Sequence, residues 1–359
     1  GRGACLVQLQ EFTQGDLEAL PSNLVKKIGN VLPGAASNYR SASPDLAPSE
    51  AAVVAGDFPA LIGVHQDNAA ENEATEVDPV LYTTFRDAGF KVGHFGQWPF
   101  AVDAITESTD SRFISDHFSN VIDAAIEFVS EQVDNEEDYL VVLMLPRLDA
   151  AFGHGIDNVN EDNWSNGVEG PSETRWSVCP DLTRGGTYTP RYKTCPKQVY
   201  RANRIHEMNK LLDLLTLVDD SSSLTLMYSS TGGETEEADS FSRPRLSARG
   251  VRRSLYDGGL KGLFRHNMGS GTMTADITGI DLLPTLAGWA EIDVPSGLPG
   301  VDASSCLSSH CSLLSRTQSL VWEWRFGTPG HCMHESPRYS ILKGTFKLLH
   351  EPASESAGV

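Results

Sequence analysis

The chain is 359 residues long and carries 28 Lys plus Arg against 48 Asp plus Glu, a formal net charge of −20. This length supports one large α/β domain or two modest ones, and the 40% apolar content is that of a folded protein rather than an acidic tail. The charge excludes nucleic acid and an anionic membrane surface as default partners and disfavours densely sulfated or phosphorylated polymers, because each needs a field of the opposite sign.

In chain order, residues 4–9 read as a buried strand and residues 23–28 as a short helix. A Ser- and Pro-rich loop leads to a helical turn at 49–55 ended by Gly56, which puts Leu46 and Glu50 at a loop-to-helix junction. Residues 79–88 predict a helix and 91–95 a strand. From 111 to 132, Phe113, Val121, Ile122, Ala125, Ile126 and Val129 recur at helical spacing. Residues 139–145 are apolar throughout and bounded by charge and Pro146, as a central strand requires.

Residues 149–196 have little periodicity and read as a long surface excursion, suited to a substrate rim or a docking surface. Helical spacing returns at 198–218 through Ile205, Met208, Leu211, Leu212, Leu214 and Leu215; 224–228 supplies a strand and 229–250 a second long loop. Strands alternating with helices predict a layered α/β domain whose mostly parallel sheet gathers functional residues beyond the carboxyl ends of its strands. After a helical segment at 280–286, interrupted or started by Pro284, the Pro- and Gly-rich residues 294–300 read as a linker. The division expected is a core at 1–293 and a small β-containing subdomain at 294–359, with strands at 319–325 and 339–349, the latter turning at Lys343-Gly344.

Of the six cysteines, Cys179 with Cys195 and Cys306 with Cys311 are near enough in sequence to be paired. Pairing implies an oxidising lumenal or extracellular compartment; six unpaired thiols in a cytosolic protein is the alternative. No stretch approaches the roughly 18 apolar residues of a membrane span, and residues 1–16 lack the basic start and apolar run of a signal peptide. Trp98, Trp322 and Trp324 are candidates for either interface anchors or internal packing. His331-Cys332-Met333-His334 is either a soft-metal half-site or an ordinary surface run with Cys332 in a disulfide.

Six local patterns, in order, resemble the sulfatase family within the wider alkaline-phosphatase-like group. They are Ser43-Pro44-Asp45-Leu46-Ala47-Pro48-Ser49-Glu50-Ala51-Ala52 with Gly56, Gly93-His94-Phe95-Gly96-Gln97-Trp98-Pro99, Ser229-Ser230-Thr231-Gly232-Gly233-Glu234, Leu255-Tyr256-Asp257-Gly258-Gly259, Asp281-Leu282-Leu283-Pro284-Thr285-Leu286, and residues 342–349. The resemblance implies that fold across nearly the whole chain.

It does not bring the family's chemistry. The position that the family fills with a Cys or Ser, converted to formylglycine, is Leu46, a hydrocarbon that carries no oxygen nucleophile. The family's Arg four residues on falls at Glu50, which reverses the charge where an anionic ester needs support. The calcium ligands fall at Gln10, Glu11, Ser230 and Thr231, one carboxylate among neutral groups. The family's Lys and His after the first crossover correspond to Gln97 and Pro99, a later His to Arg147 and a later Lys to Arg252. By this resemblance no catalytic, calcium or other cofactor site is expected.

The leading expectation is therefore a noncatalytic, sulfatase-like structural or protein-interaction component, one subunit of a larger assembly. The alternatives are a repurposed hydrolase of sulfate or phosphate esters, for which Glu11, Glu50 and Asp257 are raw material, and a noncatalytic glycan-binding protein.

Overall fold

The computed structural model describes residues 1–10, 12, 14–43, 46–64, 75–115, 117–145, 194–218, 222–230, 263–316, 319–324, 338–343 and 346–350. Strand β1 (Gly3–Leu9) is followed by helices α1 (Gln14–Glu18) and α2 (Ser22–Val31), the short strands β2 (Gly34–Ala36) and β3 (Tyr39–Arg40), then α3 (Leu46–Ala55) and α4 (Pro59–Ile62). Next come α5 (Val80–Asp87), β4 (Lys91–Gly96), α6 (Val102–Ser108), β5 (Ser111–Ile114), α7 (Phe118–Asp134), β6 (Tyr139–Met144), α8 (Thr194–Leu217) and β7 (Ser223–Ser229). Strands β8 (Phe264–His266), β9 (Thr272–Met273) and β10 (Ile277–Thr278) precede a 3₁₀ turn (Gly279–Asp281), α9 (Leu282–Ala290) and α10 (Ser304–Leu307); β11 (Leu320–Trp324), β12 (Arg338–Lys343) and β13 (Phe346–His350) close the chain.

Eight strands form the central sheet in the order β5-β4-β6-β1-β7-β8-β2-β9. Strands β5, β4, β6, β1 and β7 run parallel, whereas β8 is antiparallel to both β7 and β2, so the expected mostly parallel sheet is mixed at one side. Side chains alternate along β1 as a pleated strand demands. Ala4 and Leu6 enter a core with Ala51 and Val54 of α3, Leu81 and Phe85 of α5 and Leu283 of α9. Cys5, Val7 and Leu9 enter the opposite core with Leu24 and Ile28 of α2, Val121 and Val129 of α7 and Met208 and Leu211 of α8. A sheet buried on both faces explains why the central strands read as unbroken apolar runs.

The C-terminal strands make a separate antiparallel sheet, β11-β12-β13, with the two expected hairpin arms at Arg338–Lys343 and Phe346–His350. It meets the rest through Leu320, which packs with Ala42, Ala52, Phe58 and Ile280. Ala303, Cys306 and Leu307, beyond residue 294, are built into the main core.

Several local readings are corrected. Residues 111–114 are not the start of a helix but an edge strand, recruited by the exposed backbone of β4, and α7 begins only at Phe118. Helix α3 starts three residues before the predicted turn and buries Ala47 through Ala55 on every side, so it has no amphipathic period for a sequence to display. Helix α8 begins at Thr194, which takes Cys195 out of the predicted loop and into a helix. Trp98 is no surface anchor: it is 7% exposed, donates from Nε1 to the Ala101 carbonyl at 3.0 Å and packs edge-on against His94 and Phe100.

Candidate functional site

The carboxyl ends of β1, β4 and β7 converge under the first turns of α3, on the core face that α3 covers. Leu46 is the first residue of that helix and Glu50 lies one turn further in. Glu50 is 1% exposed and its Oε1 accepts a hydrogen bond from Gln8 Nε2 at 3.1 Å. Gln8 Oε1 in turn accepts from the Tyr228 hydroxyl at 3.3 Å. Two strands and a helix are thus joined through one buried relay of carboxyl, amide and phenol.

Tyr82 and Tyr228 are held as neutral phenols, their pKa values well above the ordinary range. Burial is the main cause for both; the charge of Glu50 adds to it directly for Tyr82, and for Tyr228 after that of Tyr39. The Tyr82 hydroxyl meets His94 Nδ1 at 2.8 Å, and His94 Nε2 meets the Gln97 carbonyl at 3.2 Å. A carbonyl only accepts, so the proton sits on Nε2 and Nδ1 accepts from Tyr82. His94 is completely buried, and desolvation lowers its pKa to about 4. The folded value lies below the unfolded one, so this contribution to stability is present above about pH 6.5 and lost as the pH falls toward about 4, amounting to about 3 kcal/mol in full. Unfolding free energies of the protein and its His94→Gln variant, measured between those limits, are expected to converge at the acid end; parallel curves would refute the assignment.

Gly96 ends β4 at φ +119°, where a Cβ would lie 1.9 Å from the Met144 carbonyl oxygen, so only glycine fits. The bend delivers Gln97, whose Oε1 accepts from Gln10 Nε2 at 2.5 Å. The two amides expected at family metal and acid/base positions are therefore brought together and occupied with each other. Ser230, beyond the end of β7, is buried with its hydroxyl unpartnered among the described residues. Gln10 and Ser230 offer no carboxylate, and a hard divalent cation is poorly served by an amide already committed to Gln97 and a lone hydroxyl. Among the described residues, no three His, Cys, Asp or Glu side chains converge on one point.

Glu11, Thr231, Arg147, Arg252, Asp257, Cys179, Cys332 and the two histidines beside Cys332 lie outside the described residues, as do the side chains of Cys195, Trp322 and Trp324. Pro99 lies just past β4 and is partly buried. Ser49, a nearby hydroxyl, donates to the Ser43 carbonyl at 2.9 Å and accepts from the Ser43 amide at 3.2 Å, a local turn rather than an open nucleophile. Cys306 and Cys311 form the disulfide expected from their spacing, with Cα atoms 5.2 Å apart; this is consistent with an oxidising environment. No described helix is long and apolar enough to cross a membrane.

Sequence reasoning passed over Gln8, Tyr82, His94 and Tyr228. Gln8 and His94 carried a signal, each a polar residue inside a run that reads as a strand.

No family model matches the chain, and no curated protein matches it in sequence. Solved structures match it in fold over nearly its whole length. BT4656, solved in complex with its substrate D-glucosamine-2-N,6-O-disulfate, superposes with a TM-score of 0.68 at 13% identity, covering 97% of this chain and 88% of the other. The phosphonate monoester hydrolase of Agrobacterium radiobacter gives 0.65 at 12% identity over 98% and 87% of the two chains. BT1596, a 2-O GAG sulfatase, gives 0.65 at 15% over 97% and 82%. The architecture is thus the sulfatase and alkaline-phosphatase-like α/β fold with a small C-terminal antiparallel sheet.

Proposed function

We propose that this chain uses a sulfatase-like fold without sulfatase chemistry and serves as a structural or protein-interaction component. The observation that carries this reading is the fate of Glu50. Where an ester's negative charge would need a cation, the helix presents a carboxyl group that is buried and hydrogen-bonded to Gln8. Leu46, at the head of the same helix, has no atom able to attack sulfur or phosphorus. No metal is assigned to the site, because the described donors suit each other better than a cation.

The fold comparisons favour a second reading, since the matching structures include enzymes of sulfate and phosphonate esters and one captured with a sulfated sugar. On that reading the chain is a repurposed ester hydrolase or a glycan binder. Turnover of aryl sulfates, aryl phosphates and phosphonate monoesters separates the two, with binding to neutral and sulfated glycans measured beside it across a salt series. We expect no turnover above that of the Glu50→Ala variant and no saturable glycan binding, while the protein isolated gently from its source runs as a defined heteromeric particle. Saturable turnover or glycan affinity lost in Glu50→Ala would replace the first reading with the second.

A further inference from the structure

Two buried histidines face the same core, and they are built differently. His94 has a hydrogen-bond partner at each nitrogen. His266 is likewise fully buried, yet neither Nδ1 nor Nε2 has a partner among the described residues. Buried polar atoms left unpaired are rare and costly, and an imidazole with both nitrogens in that state is poorly placed to accept a charge.

The surroundings explain the isolation. His266 ends β8, opposite Gly34 of β2 on one side and Leu226 of β7 on the other. The ring lies flat on Gly34: a Cβ there would come within 2.0 Å of the ring Cε1, so no other residue leaves it room. Phe264 stands two residues before it on the same face, ring centroids 6.0 Å apart. Gly34 and Leu226 stand opposite it on the neighbouring strands, the neutral phenol of Tyr228 lies two residues on along β7, and the neutral phenol of Tyr39 stacks on Phe264. Among the described residues Arg265 is the charge that acts on it, and alternation turns that side chain to the opposite face, where Nε donates to the Leu32 carbonyl at 2.9 Å. Asp281 and Glu50 act on the phenols of Tyr39 and Tyr228, but among the described residues no acceptor meets either nitrogen of the ring to compensate a positive charge.

We propose that His266 is an acid-sensitive wedge in the β2–β8 seam: when it takes up a proton the seam opens to let the ring reach water, while the parallel centre of the sheet stays closed. The seam is the place where this can happen locally. Strand β2 has three residues and β9 two, both at one edge of the sheet, whereas β1 is held by full-length parallel partners on both sides. Short edge elements open at lower free energy than the central strands. Burial, with a smaller push from Arg265, lowers the ring's pKa to about 4. The folded value is below the ordinary 6.5, so the closed seam is stable at neutral pH and weakens as the pH falls through that interval; at about pH 5 the opening equilibrium has grown about 30-fold.

Amide hydrogen exchange on the whole chain, corrected for intrinsic rates, tests this at about pH 7.5 and about pH 5. Protection at residues 34–36 and 264–266 is expected to fall about 30-fold with acid, that of Leu6 and Val7 to stay nearly constant, and the seam's loss to vanish in His266→Gln. His266→Phe, which keeps a ring on Gly34, is a second variant should the first fold poorly, and the His266 ring resonances give a direct titration of the wild type. An equal fall at seam and centre, an unchanged acid response in either folded variant, or a ring titrating near 6.5 with the seam closed would each overturn the proposal.

Discussion

Asp281→Ala is expected to destabilise the protein by about 3–5 kcal/mol, one of the largest effects of any single substitution. Asp281 is fully buried and each of its oxygens accepts twice. Oδ2 takes the Thr278 amide at 2.8 Å and Arg316 Nη2 at 2.5 Å; Oδ1 takes the Val301 amide at 2.9 Å and Arg316 Nη1 at 2.7 Å. The bidentate fork is the strong form of this interaction. Arg316 also donates to the Asp276 carbonyl at 2.7 Å, so one carboxylate fastens the 3₁₀ turn, the segment before α10 and the chain entering the C-terminal sheet. Removing it leaves a nearly buried guanidinium and two backbone donors without acceptors. Urea unfolding of the variant should show the loss as a lower midpoint at an unchanged slope. A loss below about 1 kcal/mol would mean that Arg316 and the two amides find other partners.

The second large effect concerns α8. Arg204 Nη1 meets Glu207 Oε2 at 2.7 Å, with side chains 2% and 0% exposed. Arg204 Nη2 also donates to the Gln10 carbonyl at 3.1 Å, and its guanidinium lies 5.4 Å from the Phe12 ring centroid. The pair therefore braces the turn after β1 that carries Gln10 into the candidate site. Breaking it by Arg204→Met strands a carboxylate in the core and is expected to cost about 3–5 kcal/mol, whereas Arg204→Met with Glu207→Leu should recover most of that loss. The sign of the pH dependence follows from Glu207. Burial already raises its pKa, and Arg204 partly offsets the rise. Without Arg204 the folded carboxyl holds its proton to higher pH than the unfolded one, so the single variant's deficit should be smallest in mild acid and grow as the pH rises. Chemical unfolding of wild type, single and double variants at two pH values checks both points. Equal stability of the single and double variants would show that the cost lies in lost packing and not in the stranded charge.

The site was legible in the sequence to the extent that identity alone carries chemistry. Leu46 cannot be a nucleophile in any environment, and Gln10 and Gln97 cannot ligate as carboxylates do. Glu50 was legible as a reversed charge but not as a buried one, because helix α3 is enclosed on all sides and gives no polar stripe from which burial can be judged. That Gln10 and Gln97 hold each other, and that Gln8 links Glu50 to Tyr228, depends on residues the sheet brings together across 87 and 220 positions of sequence. Propensity and periodicity act over a few residues and are silent about such pairs.

The sequence by itself determined the strongly acidic balance, the long apolar strands β1, β6 and β7, the longer helices and the layered α/β class, since these follow from side-chain chemistry and local period. Only the tertiary structure decided that residues 111–114 are a strand, that two- and three-residue segments complete the sheet, that Trp98 is internal, and that His94 is satisfied where His266 is not. Each of these is set by what the rest of the chain brings into contact. A strand two residues long has no period of its own, and whether a buried imidazole has a partner depends on which neighbours the fold supplies.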